Sequence, residues 1–397
     1  MRPLALTRFT ATSAIGLGLE ATVAALRERR GALAPCAFET VALETCVGEV
    51  QQVDAVRLPA ALARFDCRNN RLAQLALAQD GFIEAVRACA TRHGPRRIGV
   101  FLGTSTSGML QTEIAYRRRG PDGALPEDFN YATTHNAFSL GDFVRHSLGL
   151  EGPAAVISTA CSSSAKVFGS AARLIEAGVI DAAVVGGVDS LCLTTLYGFH
   201  ALQLVARAPC RPFDLTRDGI SIGEAAAFAL LERLEPDAPP GTVRLTGVGE
   251  SSDAYHMSSP HPDGLGARAA MLAALADAGR RPADIDYINL HGTGTPSNDA
   301  AEARAVSSLF GTRVPVSSTK GATGHTLGAA GALEAVICAL ALRHALAPAG
   351  INTAAPDPAL EVDYLTDNRP DALACVLSNS FGFGGSNCSL LLERSHD

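Results

Sequence analysis

Residues 154–164 read AAVISTACSSS and place Cys161 at the junction of two predicted elements. The apolar residues 154–158 predict a buried strand, and the small residues from Ala160 onward predict the start of a helix. The free N–H groups and the positive dipole end of a helix start favour a thiolate. We therefore expect the pKa of Cys161 to lie below the usual value of about 8.5 and its thiol to be reactive. A buried structural cysteine is the alternative interpretation.

Three further motifs follow apolar segments downstream of Cys161. His291 opens the sequence HGTGTP, and Lys320 and His325 begin and end the sequence KGATGH. Residues 379–387 read NSFGFGGSN, which predicts a glycine-rich turn. Each motif alone is compatible with an ordinary strand cap, turn or helix start. Their combination in this order would rarely arise by chance.

In these motifs the chain resembles the β-ketoacyl-[acyl carrier protein] synthases of the elongating type, which use one cysteine and two histidines. The resemblance implies that Cys161, His291 and His325 are catalytic. The implied reaction is the decarboxylative Claisen condensation of an acyl chain held on Cys161 with malonyl-acyl carrier protein, which gives β-ketoacyl-acyl carrier protein. A thiolate exchanges readily with a thioester, and the two histidines are suited to stabilise the enolate left by decarboxylation.

The resemblance also assigns supporting roles around these three side chains. Lys320 and Glu334 match a buried polar network that orients the second histidine of the family. The backbone N–H groups of Cys161 and Phe383 match an oxyanion hole, and the glycines that flank Phe383 permit the tight turn this needs.

Contacts to the substrate are implied at two further places. Thr293 and Thr295 match positions that hydrogen-bond the pantetheine arm in the family. Phe381 and Phe383 are candidates for a gate on the acyl pocket, with plain packing as the alternative. No cofactor of the protein's own is expected, because the phosphopantetheine arrives on the carrier protein.

The hydrophobic pattern alternates between short apolar strands and longer helices, which is typical of an α/β fold. Residues 235–241 are polar and rich in proline, and they form the best linker in the sequence. This linker predicts two halves with similar element order, at 1–240 and 241–397, with the nucleophile in the first and both histidines in the second. The resemblance implies the five-layered thiolase-like fold.

Composition excludes several classes of function. The net charge of -7 makes nucleic acid an improbable partner. The 10 cysteines include no C-x-x-C pair, which argues against a zinc or other metal site and against a disulfide framework, and in favour of a reducing cytoplasm. The longest apolar stretch, at 327–342, is interrupted by Glu334, so we expect no membrane span. The N-terminus shows no pattern of a signal peptide.

Because acyl carrier proteins are acidic, a synthase of negative net charge must present a local basic face to them. Four arginines match the carrier-docking patch of the family: Arg68, Arg71, Arg207 and Arg211. The family also implies a dimer, formed either by two copies or with a related sister subunit.

Two other classes remain open at this point. An initiating synthase or thiolase acting on coenzyme A esters usually pairs its cysteine with histidine and asparagine, so His325 counts against it. A non-catalytic partner subunit typically lacks the nucleophile, which is present here as Cys161. Residues 130–138 and 159–166 resemble synthases of specialised pathways, such as those that make aryl polyenes.

Overall fold

The computed structural model describes residues 1–236 and 238–395 of the chain. The strands are β1 Leu4–Ser13, β2 Gly16–Leu17, β3 Ala34–Pro35, β4 Cys46–Gly48, β5 Ile98–Gly103, β6 Ala154–Ile157, β7 Ala182–Asp189, β8 Ile222–Gly223, β9 Ala225–Arg233, β10 Val243–Ser252, β11 Tyr287–Asn289, β12 Pro315–Ser317, β13 Leu346–Ala347, β14 Asp363–Tyr364, β15 Arg369–Pro370, β16 Cys375–Gly382 and β17 Ser386–Arg394.

The α-helices are α1 Gly18–Arg27, α2 Arg68–Leu77, α3 Phe82–His93, α4 Met109–Arg117, α5 Phe138–Leu148, α6 Ser163–Glu176, α7 Leu193–Ala201, α8 Leu265–Ala278, α9 Pro296–Phe310, α10 Lys320–Thr323 and α11 Ala330–His344. Residues 131–135 form a short π-helical turn.

One large sheet runs through the molecule in the order β14-β12-β11-β16-β17-β10-β1-β9-β7-β5-β6. Strands β1 and β10 join its two halves through a short antiparallel contact, in which Leu4 pairs with Leu245 and Ala5 pairs with Arg244. The outer strands of the sheet pair in parallel, and β5, β7, β11 and β12 are buried on both faces, as expected where helices cover each side.

The two half-sheets repeat one topology. In the first, β1 and β9 are antiparallel, β9 and β7 are antiparallel, and β7, β5 and β6 are parallel. In the second, β10, β17, β16, β11 and β12 repeat these relations in the same order. Helix α6 follows β6, and α10 and α11 follow β12, so the two central helices occupy equivalent places.

The helices arrange these half-sheets into five layers. Helices α2, α3 and α5 cover the outer face of the first half-sheet, and α8 with α9 covers the outer face of the second. Helices α6 and α11 contact each other and strands of both half-sheets, so they form the middle layer. The largest apolar cluster lies around these two helices. The α/β class and the thiolase-like layering predicted from the sequence are confirmed.

Small residues allow the middle layer to pack closely. A Cβ at Gly103 would lie 2.3 Å from the backbone nitrogen of Ser164, and a Cβ at Gly331 would lie 2.7 Å from the Cβ of Ala165. Glycine is therefore required where the start of α6 meets β5 and where it meets α11. The segment Leu327–His344 has the length and apolar composition of a membrane span, but 89% of it is buried inside the fold, as in a core helix.

Two predicted boundaries can be compared with the structure. The glycine-rich turn is shorter than the sequence suggests, because β16 continues to Gly382, β17 begins at Ser386, and only Phe383–Gly385 lie between them. The predicted linker at 235–241 joins β9 to β10, and its residue Asp237 lies outside the described part. The division at residue 240 stays a prediction, supported by the repeated strand order.

Candidate active site

Cys161 lies in a tight turn between β6 and α6. The preceding residue, Ala160, has a φ of 52°, which is strained for a residue with a Cβ. Hydroxyl groups stabilise this turn: Ser163 Oγ accepts from the backbone nitrogen of Thr159 at 2.8 Å and donates to the carbonyl of Ala160 at 2.5 Å. The Ser162 hydroxyl donates to the carbonyl of Thr159 at 2.9 Å. The serine-rich sequence thus fixes the direction of the thiol.

His325 reaches the same point from the equivalent connection of the second half. Its Nε2 lies 3.0 Å from Cys161 Sγ. Its backbone pairs with the short strand β8, because its N–H donates to the carbonyl of Ser221 at 2.7 Å and its carbonyl accepts from Gly223 at 3.0 Å. The nucleophile and this histidine therefore meet because the starts of α6 and α11 converge.

His291 follows β11 and completes the group. Its ring lies edge-on to that of His325, with the ring centroids 5.3 Å apart. One donor atom from each of Cys161, His291 and His325 lies within 4.8 Å of the other two. The carboxylate of Glu302 accepts from the backbone nitrogens of His291 and Gly292 at 2.8 and 2.7 Å, which holds the loop after β11.

Lys320 and Glu334 form a buried ion pair behind the histidines. The Lys320 ammonium contacts the Glu334 carboxylate and donates to the carbonyl of His291 at 2.5 Å. Both side chains are almost completely inaccessible to solvent. The pair therefore links the segment before His325, the helix α11 and the backbone of His291.

Burial controls the protonation of the site. It raises the pKa of the Cys161 thiol to about 11, against the opposing effects of Lys320 and the backbone N–H of Phe383. Burial and the Lys320 charge hold the pKa of both His291 and His325 well below their usual 6.5. The prediction of a lowered pKa for Cys161 is wrong for this resting state, because desolvation of the thiolate outweighs the helix start. The resting pair is a thiol and a neutral imidazole.

Phe383 approaches the thiol through its backbone. Its N–H donates to Cys161 Sγ, and this contact favours the thiolate. Two hydrogen bonds to another segment hold the turn Phe383–Gly385 in place. The Gly384 N–H donates to the carbonyl of Met257 at 2.8 Å, and the Asp253 N–H donates to the carbonyl of Gly385 at 2.9 Å. The rings of Phe383 and Phe199 lie 5.5 Å apart.

The group opens into one cleft with about 580 Å³ of unfilled space. Phe381 and Phe383 form part of its wall, and the Phe381 ring lies 5.8 Å from that of His291. Thr293 and Thr295 also line it, with their hydroxyl oxygens 2.9 Å apart. The structure therefore places together nine of the predicted residues. Seven line the cleft: Cys161, His291, Thr293, Thr295, His325, Phe381 and Phe383. The other two, Lys320 and Glu334, lie behind it.

The predicted docking arginines do not share one environment. Arg68 is only 3% exposed and is surrounded by Glu224, Asp54 and Glu49, so its assignment to a carrier-docking surface is wrong. The start of α2 turns inward at this residue, which sequence periodicity does not reveal.

The other three arginines lie at or near the surface. Arg71 pairs with Asp66 at 2.6 Å and Arg211 pairs with Asp218 at 3.0 Å. Arg207 is exposed. Docking through these residues stays a prediction.

Two groups have the donor spacing of a metal site among the described residues. The first is Cys161, His291 and His325, and the second is Cys89, His93 and Glu232. The buried ammonium of Lys320 lies beside the first group and lowers the pKa of both its histidines. A cation there would meet like charge at close range, so the surroundings of this group disfavour metal binding.

Sequence reasoning missed the carboxylates that hold the site. Asp299 and Glu302 are fully buried on one side of α9, where Asp299 accepts from the backbone nitrogens of Phe213 and Gly294. Burial raises the pKa of Glu302 to about 7. Asp299 and Glu302 lie three residues apart in the helix that follows HGTGTP. This spacing places two acids on the same helix face, and it was the signal available in the sequence.

A buried cysteine and two histidines lie between the two half-sheets of a five-layered α/β fold, which is the arrangement that the resemblance to condensing enzymes of the thiolase type implies. Models of the beta-ketoacyl synthase N-terminal and C-terminal domains match residues 67–237 and 243–354. The 3-oxoacyl-[acyl-carrier-protein] synthase 2 of Staphylococcus aureus (strain COL) is 35% identical in an alignment of 314 positions that covers 75% of each chain. The chain belongs to the β-ketoacyl synthase family.

Solved structures of ketosynthases resemble the whole chain. A ketosynthase (ApeO) in complex with its chain length factor (ApeC) from Xenorhabdus doucetiae is 39% identical, with a TM-score of 0.87 over 99% of this chain and 98% of that one. The ishigamide ketosynthase/chain length factor is 28% identical, with a TM-score of 0.88 over 99% of each.

Proposed function

We propose that the protein extends an acyl chain by two carbons on a carrier protein, with Cys161 as nucleophile and His291 and His325 as donors to the enolate. The observation that carries this proposal is the contact of 3.0 Å between His325 Nε2 and Cys161 Sγ, beside the Phe383 N–H. A degenerate partner subunit would have no need for this arrangement.

In the first half-reaction, Cys161 Sγ forms a bond to the acyl carbonyl carbon, and the bond to the carrier's thiol breaks. The thiol proton of Cys161 leaves with the displaced pantetheine. The N–H groups of Cys161 and Phe383 stabilise the oxyanion of the tetrahedral intermediate. Because the resting thiol is neutral, its proton must be transferred during acylation. His325 Nε2, which contacts Cys161 Sγ, is placed to accept this proton and pass it to the leaving thiolate.

In the second half-reaction, malonyl carrier protein loses carbon dioxide and becomes an enolate. His291 and His325 are neutral at pH 7, and a neutral imidazole keeps one ring N–H, which each can donate to the thioester oxygen. The enolate carbon then bonds to the acyl carbonyl carbon, the bond from that carbon to Cys161 Sγ breaks, and the released thiolate takes one proton from solvent to restore the resting thiol. Burial and the Lys320 charge keep both imidazoles neutral, and the Lys320 ammonium, paired with Glu334, holds the backbone carbonyl of His291.

The carrier protein delivers both substrates on phosphopantetheine. Thr293 and Thr295 lie in the cleft and are suited to bind the amides of that arm. Arg207 is the exposed arginine of the predicted patch, and it is the residue that we assign to the acidic carrier surface.

A second subunit is expected along β6. This strand ends the large sheet, pairs with β5 on one side, and keeps all four residues partly exposed although they are Ala154, Ala155, Val156 and Ile157. An apolar edge strand is normally covered. Since two similar structures are ketosynthase and chain length factor assemblies, we assign the edge to a related subunit of that kind, with synthesis of a specialised acyl chain in the reducing cytoplasm.

The test separates the two half-reactions. Cys161→Gln places an uncharged amide where the acylated thiol would stand, so the variant should release carbon dioxide from malonyl carrier protein and form no β-ketoacyl product. His325→Ala should still acquire some acyl label on Cys161 while it loses decarboxylation. Radiometric carbon dioxide release and intact-protein mass spectrometry measure the two activities.

The matched control is Cys338→Gln, a buried cysteine of α11 that lies outside the cleft lining. It should lower stability without separating the two half-reactions. Retention of condensation by Cys161→Gln, or parallel loss of acylation and decarboxylation in both active-site variants, would contradict the assignment.

A further inference from the structure

The backbone of His325 lies in a short sheet outside the main one. Strands β3, β4 and β8 form this sheet, with Val47 next to Ile222 and Gly48 next to Gly223. His325 adds to its edge as a parallel bridge with Ile222. The position of the imidazole therefore depends on the position of β8.

There is no free space between this sheet and the segment before His325. A Cβ at Gly48 would lie 2.3 Å from the carbonyl oxygen of Thr323, and a Cβ at Gly223 would lie 2.2 Å from the same atom. A shift of either strand would therefore be transmitted directly to the backbone around His325.

Glu224 follows β8 and ties it to three other segments. Its carboxylate is fully buried and accepts from the backbone nitrogens of Val50 and Leu191, each at 2.9 Å. Val50 follows β4, so one oxygen binds the end of the neighbouring strand. The remaining bonds come from Arg68, whose Nη2 and Nε lie 2.6 and 3.0 Å from the two oxygens.

Arg68 is held on every side. Its guanidinium binds Glu224 on the inside, and it reaches Asp54 at 2.9 Å and Glu49 at 3.2 Å toward the surface. The group also lies over the ring of Phe38, 5.0 Å from its centroid. This planar, bidentate contact fixes the direction of the Glu224 carboxylate, which an ammonium could not do.

A second buried carboxylate holds the other side of the His325 segment. Asp189 accepts from the backbone nitrogen of Gly328 at 2.5 Å and from those of Ser105 and Thr106 at 2.8 and 2.9 Å. Asp189 lies two residues before Leu191, which binds Glu224. Glu224 therefore holds the strand that pairs with His325, and Asp189 holds Gly328, which follows it. The short segment from Asp189 to Leu191 connects the two carboxylates.

We infer that the buried Arg68–Glu224 ion pair is a positioning element for His325, because it fixes the strand whose backbone sets the distance between His325 Nε2 and Cys161 Sγ. This inference deepens the proposed function and rests on it for the role of His325. Arg68 thus serves the reaction from within the protein instead of binding the carrier.

The test is Glu224→Gln, which keeps the shape of the side chain and removes its charge. The turnover number for condensation should fall about 10- to 100-fold, the cost of a misplacement of about 1 Å, while the Michaelis constant for malonyl carrier protein stays within about twofold. The pH profile of Cys161 alkylation by iodoacetamide should also change in the direction in which His325→Ala changes it, because both variants weaken the contact between His325 Nε2 and Cys161 Sγ. Alkylation needs no carrier protein, so this readout does not depend on the proposed reaction.

The matched control is Glu232→Gln at the far end of β9, which disrupts the ion pair between this largely buried carboxylate and the 56% exposed Arg92. It should lower thermal stability and leave the alkylation profile unchanged. Arg68→Lys keeps the positive charge but loses the bidentate guanidinium contact. Its turnover number and its alkylation profile should lie between those of the wild type and those of Glu224→Gln. If Glu224→Gln does not fold, the same two measurements on Arg68→Lys test the inference. A wild-type alkylation profile in the decisive variant, or an equal shift in Glu232→Gln, would overturn the inference.

Discussion

Replacement of Lys320 by methionine tests the buried ion pair behind the active site. The change keeps the length of the side chain but leaves the Glu334 carboxylate without its cation and the His291 carbonyl without its donor. Breaking a buried pair from one side costs about 3–5 kcal/mol, because an uncompensated charge remains in a medium of low dielectric constant.

The size of the protein converts this free energy into a temperature. With 397 residues and an unfolding entropy of about 2.1 cal/mol/K per residue, the entropy of complete unfolding is about 0.8 kcal/mol/K. A loss of about 3–5 kcal/mol then lowers the midpoint by about 4–6 °C for cooperative unfolding. Differential scanning calorimetry measures this shift directly.

The loss should depend on pH with a defined sign. Burial raises the pKa of Glu334 above its ordinary value, and removal of Lys320 raises it further. A folded-state pKa above the unfolded value means that the folded protein binds the extra proton, so stability rises as pH falls through that folded value. The midpoint of Lys320→Met should therefore lie closer to the wild type at pH 6 than at pH 8.

The double variant Lys320→Met/Glu334→Leu completes the test. It removes both charges, and an apolar replacement of a buried pair is often neutral or stabilising. It should recover most of the lost stability while condensation stays impaired, since the carbonyl of His291 still lacks its donor. A double variant that is no more stable than Lys320→Met at pH 8 would refute the reasoning.

Three further predictions concern protonation, packing and docking. Because burial raises the pKa of the Cys161 thiol to about 11, its alkylation measured by mass spectrometry should accelerate from pH 7 to pH 10, and a plateau by pH 8 would contradict this. Gly103→Ala should destabilise by about 1–3 kcal/mol through overpacking, whereas Gly198→Ala in open space should stabilise by up to about 1 kcal/mol; equal melting temperatures would argue against the tight packing at β5. Arg207→Glu should raise the Michaelis constant for carrier-bound substrate and weaken its salt dependence, unlike Arg96→Glu in the exposed turn before β5, and identical salt dependence in the two variants would exclude docking at Arg207.

Local pattern was sufficient for much of the fold and for the chemistry. The apolar run before Cys161 and the small residues after it specify a strand, a tight turn and a helix within 25 residues or so of chain, because each preference is set by near neighbours. The same holds for the loops that carry His291 and His325, whose glycines and flanking strands are visible in the sequence. The alternation of such units also indicates the layered α/β class.

The properties that depend on burial could not be read in this way. Arg68 is a charged residue at the start of a helix, and nothing in its neighbours shows that Glu224, 156 positions away, lies against it. Asp189, Glu224 and Glu302 likewise hold the site through contacts between segments that are distant in sequence. Such pairings exist only once the half-sheets and central helices have packed.

The protonation state of the nucleophile is the plainest case. The sequence places Cys161 at a helix start and by itself determines that a thiol faces the positive end of that helix. Only the tertiary structure removes water from the thiol, and this burial raises the pKa of Cys161 to about 11 although Lys320 and the Phe383 N–H oppose the rise. Sequence determines which groups are available and their local direction, whereas their charge depends on solvent exclusion, which is a property of the whole packed molecule.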